Sequence, residues 1–215
     1  MSRTPVRRLL VILLGMILVL GAVQFSWAGA PTDQLRAYTD QVLKILEDPG
    51  LSAPDRRTAV RKVASEAFDV SETAKRALGQ HWPQRTPAER EEFTHLFANL
   101  LEQTYISRIG EYGGERITYM SEQIEGDRAT VRARIVTNKG TEVPVESRLL
   151  KNQDRWLIYD VLIANMSLIS NYRTQFDRVI RTSSYSDLVQ RLRTRGELLN
   201  EKENSAPRGP APGKR

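Results

Sequence analysis

Apolar positions along the chain first recur at three- and four-residue spacings, then alternate, then return to the helical spacing. Leu35, Tyr38, Val42, Ile45 and Leu46 form one stripe over Pro31–Leu46, with Thr32 or Asp33 placed to cap it. Asp48-Pro49-Gly50 stops that helix. Ser52, Pro54 and Asp55 restart one, with Val60, Val63, Ala64, Ala67 and Phe68 on its apolar side. Asp69 or Ser71 opens a short helix that ends at Leu78-Gly79. Thr86-Pro87-Ala88-Glu89 then reads as a capping box with proline in the first turn. The helix it opens runs to about Tyr112, with Phe93, Leu96, Phe97, Leu100, Leu101, Tyr105 and Ile109 along one face.

After Gly113-Gly114 the period changes to two, over 116–124, 128–137, 142–152 and 155–164. The links between these runs are short and turn-like, which predicts an antiparallel meander of about four strands. Ala129, Val131, Ala133 and Ile135 alternate with Arg128, Thr130, Arg132 and Arg134, so that strand has one buried and one wet face. Pro144 predicts an edge position or a bulge in the third strand. The fourth strand, 155–164, is apolar at nearly every position, which predicts cover on both faces.

That strand runs directly into another helix. Ser167 can cap it, and Leu168, Ile169, Tyr172, Phe176, Val179 and Ile180 form its core stripe. Ser184 or Ser186 opens a last helix carrying Leu188, Val189, Leu192, Leu198 and Leu199. Helices grouped at both ends of an antiparallel sheet predict an α+β fold, with the helices covering the apolar face of a curved sheet.

Composition changes the picture at the two termini. Arg3, Arg7 and Arg8 precede the apolar run Leu9–Val23, and Ser26 and Ala28 have the small side chains of a cleavage site. The run is shorter than the roughly 20 residues of a spanning helix, so residues 1–28 read as a cleaved signal peptide. The alternative is an uncleaved anchor. Removing this segment takes three of the 32 basic residues and none of the 26 acidic ones, so the net charge falls from +6 to +3. That is weak grounds for a nucleic-acid partner. The tail 200–215 is polar and rich in proline and glycine, which predicts disorder. The domain is thus expected over 29–199: helical over 31–112, sheet over 116–164, and helical again over 167–199.

Candidate chemistry is sparse. The chain has no cysteine, which excludes disulfides, thiolate metal sites and a cysteine nucleophile. Its two histidines, His81 and His95, have no metal-site spacing. There is no GxSxG, GxGxxG or P-loop. Asp160, in an apolar strand beside Tyr159, is the candidate acid or base of a small enzyme built on a cone-shaped sheet. The plainer reading pairs it with a strand arginine such as Arg132 or Arg134. Arg173 can bind an anion at a pocket rim, or lie on the polar side of its helix. Arg56, Arg57, Arg61 and Lys62 form a basic face, either solvated or used for docking.

Apolar surface, in contrast, is in surplus. Phe93, Phe97, Leu101 and Tyr105 come from the long helix. Val131, Ile135, Val145, Trp156, Ile158, Val161 and Ile163 come from the strands, and Leu168 and Tyr172 from the helix after them. Such a set closes into a solid core or lines an apolar cavity.

Several of these residues also carry a family likeness. Phe68-Asp69, Ala77-Leu78-Gly79 with Trp82, the aromatic stripe of the long helix, Trp156 with Tyr159-Asp160-Val161, and above all Ser167-Leu168 with Asn171-Tyr172-Arg173 and Phe176 resemble the MlaC family. These are periplasmic phospholipid-binding proteins, also called the toluene-tolerance or Ttg family. The likeness spans roughly 32–199. It departs at Ala164-Asn165-Met166, where the family usually has Glu-Gly-Val.

The resemblance implies a cone-shaped, NTF2-like sheet plus a helical subdomain, enclosing a cavity for acyl chains. It implies a non-enzymatic, periplasmic carrier with phospholipid as cargo and no cofactor or metal. The partners implied are an outer-membrane lipoprotein complex and an inner-membrane ABC transporter with an MCE-type subunit. On that reading the apolar set above is the lipid-binding surface, with Arg173 at the headgroup rim.

Overall fold

A computed structural model of the chain describes residues 30–106 and 113–194. The expected signal peptide, the end of the long helix and the expected tail lie outside the described residues.

Helix α1 is Pro31–Glu47, α2 Ala53–Ala67, α3 Val70–Leu78 and α4 Pro87–Tyr105. A single 3-10 turn, Gly79–His81, follows α3. The strands are β1 Arg116–Glu125, β2 Arg128–Val136, β3 Glu142–Asn152, β4 Arg155–Ile163 and the two-residue β5 Met166–Ser167. Helix α5 is Leu168–Thr182, and residues 185–194 form α6.

Local chemistry sets most of these boundaries. Ser52 and Asp69 accept from the backbone N–H groups of Asp55 and Glu72 and so start α2 and α3. The Thr86–Glu89 capping box forms in both directions. Helix α1 is the exception. Neither Thr32 nor Asp33 caps it: its N-cap is Ala30, with no side-chain cap bond. Glu122 of β1 supplies the acceptor instead, taking bonds from the Thr32 N–H at 2.7 Å and the Thr32 hydroxyl at 2.6 Å.

The sheet is an antiparallel meander in the order β1-β2-β3-β4-β5. It therefore has one strand more than the pattern predicts, because a two-residue strand has no periodicity to read. Pro144 is neither on an edge nor in a bulge: it pairs with Arg134, and its carbonyl accepts from the Ala164 N–H. Its missing N–H thus faces the point where β4 turns away, so no ladder bond is lost.

Two cores hold the molecule. A helical core joins Ala74, Ala77 and Leu78 of α3, Phe93, Phe97 and Leu100 of α4, Ile169 and Phe176 of α5, and Leu188 and Leu192 of α6. Three of its ring pairs meet edge-on: Phe97 lies 5.3 Å from Phe176 and 5.1 Å from Tyr172, and Phe93 lies 5.6 Å from Phe176. A second core lies under the sheet, where Ala129, Val131, Leu149, Trp156 and Ile158 meet Ala67, with Leu35 and Tyr38 of α1 packed against them. The two cores join at the α2–α3 junction. There the Asp69 N–H donates to the Ile158 carbonyl at 2.9 Å, and Phe68 bridges to Ile158.

Candidate functional site

Between the two cores the walls do not meet. An apolar cavity of about 320 Å³ is lined by Arg61, Ala64 and Ser65 of α2, by Phe68, Val70 and Thr73 at the α2–α3 junction, by Phe97, Ala98, Leu101, Glu102 and Tyr105 of α4 with Ile106 after it, and by Val161, Ile163 and Leu168. The volume is in the range of roughly 300–1,000 Å³ typical of small-molecule sites. Part of the space exists because three of the helical positions that face it carry short side chains. Ala64 and Ser65 on α2 and Ala98 on α4 stand where longer residues would close the gap. At its mouth apolar groups reach solvent: Tyr105 is 44% exposed and Ile163 41%.

Of the residues expected to line a cavity, Phe97, Leu101, Tyr105, Val161, Ile163 and Leu168 do so. The others lie elsewhere. Phe93 and Tyr172 pack in the helical core, and Val131, Trp156 and Ile158 in the core under the sheet. Val145 pairs with Ile163 and Ile135 pairs with Val143, so both continue the same sheet face beyond the cavity, half-buried. Arg173 is not among the residues that line the cavity. Its Cδ packs on Gly79, where an added Cβ would come within 3.0 Å of it. Gly79 also has φ 55°, a left-handed conformation that suits glycine.

The α2 wall and Ala98 escape a search for large apolar residues. Their signal is the reverse: small residues within or beside an apolar stripe.

Asp160 has structural work. It is buried, and its carboxylate accepts from the Ser167 hydroxyl at 2.7 Å and the Ile169 N–H at 3.2 Å. Ser167 in turn accepts from the Ser170 N–H at 2.9 Å. The pair therefore caps α5, with an anion at the positive end of its dipole. Arg148 on the neighbouring strand completes the set, its Nη1 3.7 Å from Asp160 Oδ2. The strand arginine beside Asp160 is thus Arg148, since Arg132 and Arg134 pair with Glu146 and Glu142. The carboxylate does not line the cavity.

Between β4 and β5, Ala164 at φ 50° and Asn165 at φ 65° make a tight left-handed turn that presents Met166, 72% exposed.

The histidines also have plain roles. His81 Nε2 lies 2.9 Å from Asp177 Oδ1, to which Gln80 also donates at 2.7 Å. These two hydrogen bonds hold the Asp177 carboxyl below its ordinary range. His95 is exposed on α4. Among the described residues, no three His, Asp or Glu side chains come together as a metal site. No helix among them is long and apolar enough to cross a membrane.

Fold and site together define an α+β protein with an open apolar pocket between its helices and one face of its sheet. The family model described as MlaC protein matches residues 36–194, and the chain belongs to that family. It is 23% identical over 155 residues to the intermembrane phospholipid transport system binding protein MlaC of Haemophilus influenzae, covering 69% of this chain and 70% of that protein. It is 24% identical over 170 residues to the toluene tolerance protein ttg2D of Pseudomonas putida, covering 75% of this chain and 79% of that one. A solved structure, the phospholipid-binding protein from Ralstonia solanacearum in complex with a phospholipid, superposes with a TM-score of 0.71 at 26% identity. That match covers 80% of this chain and 99% of the other.

Proposed function

We propose that this protein is a periplasmic phospholipid carrier. The acyl chains enter the cavity between α2, α4 and β4, and the head group stays at the mouth beside Tyr105 and Ile163. The observation that carries this reading is the partly open apolar cavity, in a chain similar to a protein solved with a phospholipid bound. Asp160, the one candidate for acid–base work, is committed to capping α5, so we assign the protein no catalytic activity.

Physical chemistry constrains how such a carrier delivers its cargo. Each buried CH₂ contributes about 0.8 kcal/mol, so even the roughly ten methylenes that a cavity of about 320 Å³ holds contribute about 8 kcal/mol. Release into water is therefore strongly disfavoured. The lipid passes directly from one apolar site to another. The partners we propose are an outer-membrane lipoprotein complex and an inner-membrane ABC transporter with an MCE-type subunit, with exchange between them maintaining outer-membrane lipid asymmetry. The basic face Arg56, Arg57, Arg61 and Lys62 is adjacent to the mouth through Arg61.

Denaturing extraction of protein purified after native export, followed by mass spectrometry, tests the reading. We expect co-purified phospholipid. Lipid-free protein that takes up nothing from liposomes would refute it.

A further inference from the structure

Among the described residues that line the cavity, the charged side chains are Arg61 of α2 and Glu102 of α4. They face each other at the mouth and form an ion pair, with both Nε and Nη2 of Arg61 directed at Glu102 Oε1. Their side chains are 47% and 27% exposed, so an incoming polar group can reach both. The remaining lining is carbon-rich, with Ser65, Thr73 and Tyr105 adding hydroxyls. A lipid whose chains occupy the carbon-lined part has its head group where the lining becomes charged.

We propose that the Arg61–Glu102 pair selects the head group, and that it favours zwitterionic phospholipids with a primary ammonium over anionic ones. This deepens the carrier reading and rests on it. The guanidinium fork of Arg61 matches the oxygens of a phosphodiester. The Glu102 carboxylate accepts from an ammonium, which carries N–H donors that a quaternary choline nitrogen lacks. A phosphoethanolamine group can therefore replace one internal pair with two pairs to the ligand. Each protein charge keeps a partner of opposite sign. A phosphoglycerol group brings only the anion. It takes Arg61 from Glu102 and leaves two negative groups together, which disfavours it by repulsion. The selectivity is modest because both side chains are partly solvated.

The experiment uses the purified protein and vesicles of equimolar phosphatidylethanolamine and phosphatidylglycerol with identical acyl chains. Bound lipid is extracted and both species are quantified by mass spectrometry. We expect the bound fraction to be enriched in phosphatidylethanolamine by roughly fivefold, which corresponds to about 1 kcal/mol. Glu102→Gln brings the ratio close to that of the vesicles, and Glu102→Lys inverts it toward phosphatidylglycerol. Replacing phosphatidylethanolamine with phosphatidylcholine lowers the enrichment. The readout is a ratio among bound lipids, so partial unfolding of a variant lowers total lipid without moving it. Lipid bound by the wild type in the vesicle ratio, or a Glu102→Lys ratio equal to that of the wild type, overturns the proposal while leaving the carrier reading intact. No uptake of either lipid overturns both.

Discussion

Helix α4 borders two regions of similar composition and opposite structure. On one side Phe93, Phe97 and Leu100 close against α3, α5 and α6, and Phe97 sits 5.3 Å from Phe176. On the other side Phe97, Ala98, Leu101 and Tyr105 look across open space at Ala64, Ser65, Val161 and Ile163. Both sides are apolar, so hydrophobicity does not separate a core from a ligand site. The difference is what stands opposite. Facing rings fill the first side. Alanine and serine leave the second empty, and empty space costs the wall its dispersion contacts. A protein keeps such a cost where a ligand restores those contacts.

The contrast can be tested by truncating each side. Phe176→Ala removes a ring from the packed side and should cost about 4 kcal/mol in denaturant unfolding, as for other buried aromatics. Asp160→Ala removes the acceptor of the Ile169 N–H and of the Ser167 hydroxyl at the start of α5, and the partner of Arg148. It should cost about 2 kcal/mol, with bound lipid per folded protein unchanged. Lost lipid with stability intact would instead move Asp160 from structure to function. Leu101→Ala on the cavity wall should cost only about 1 kcal/mol, because that side chain is half-buried and already lacks neighbours on one side. Equal costs for Leu101→Ala and Phe176→Ala would erase the contrast. The smallest effect is expected at the turn between β4 and β5. Ala164→Gly relieves a left-handed alanine at φ 50° and should stabilise by about 0.5 kcal/mol, the strain relief being offset in part by chain entropy. The rate of lipid exchange with liposomes would show whether that turn also shapes the opening.

Elements with a local cause were legible before the structure. The capping box at Thr86–Glu89, the cap at Ser167 and the alternation in β2 each arise within a few residues. The cause of the α1 start is remote, since Glu122 is 90 residues from Thr32, and no nearby pattern reports it. Arg148 beside Asp160 depends on register across two strands, including the shift between Arg148 and Leu149. The site was half legible for a related reason. Phe97 and Leu101 line the cavity while Phe93 and Tyr172 fill a core, yet all four have the same helical spacing. Periodicity names the face that is buried. It does not say whether the opposite wall reaches it, and here that depends on Ala64, Ser65 and Ala98.

The most direct test fills the space. Ala64→Leu with Ala98→Leu puts branched side chains on both helical walls of the cavity and leaves the packed core untouched. Phospholipid per protein, measured by denaturing extraction and mass spectrometry, should fall to a small fraction of the wild-type value, while the unfolding transition stays in place or rises. A filled variant that remains folded and carries as much phospholipid as the wild type would contradict the assignment of this cavity as the lipid site.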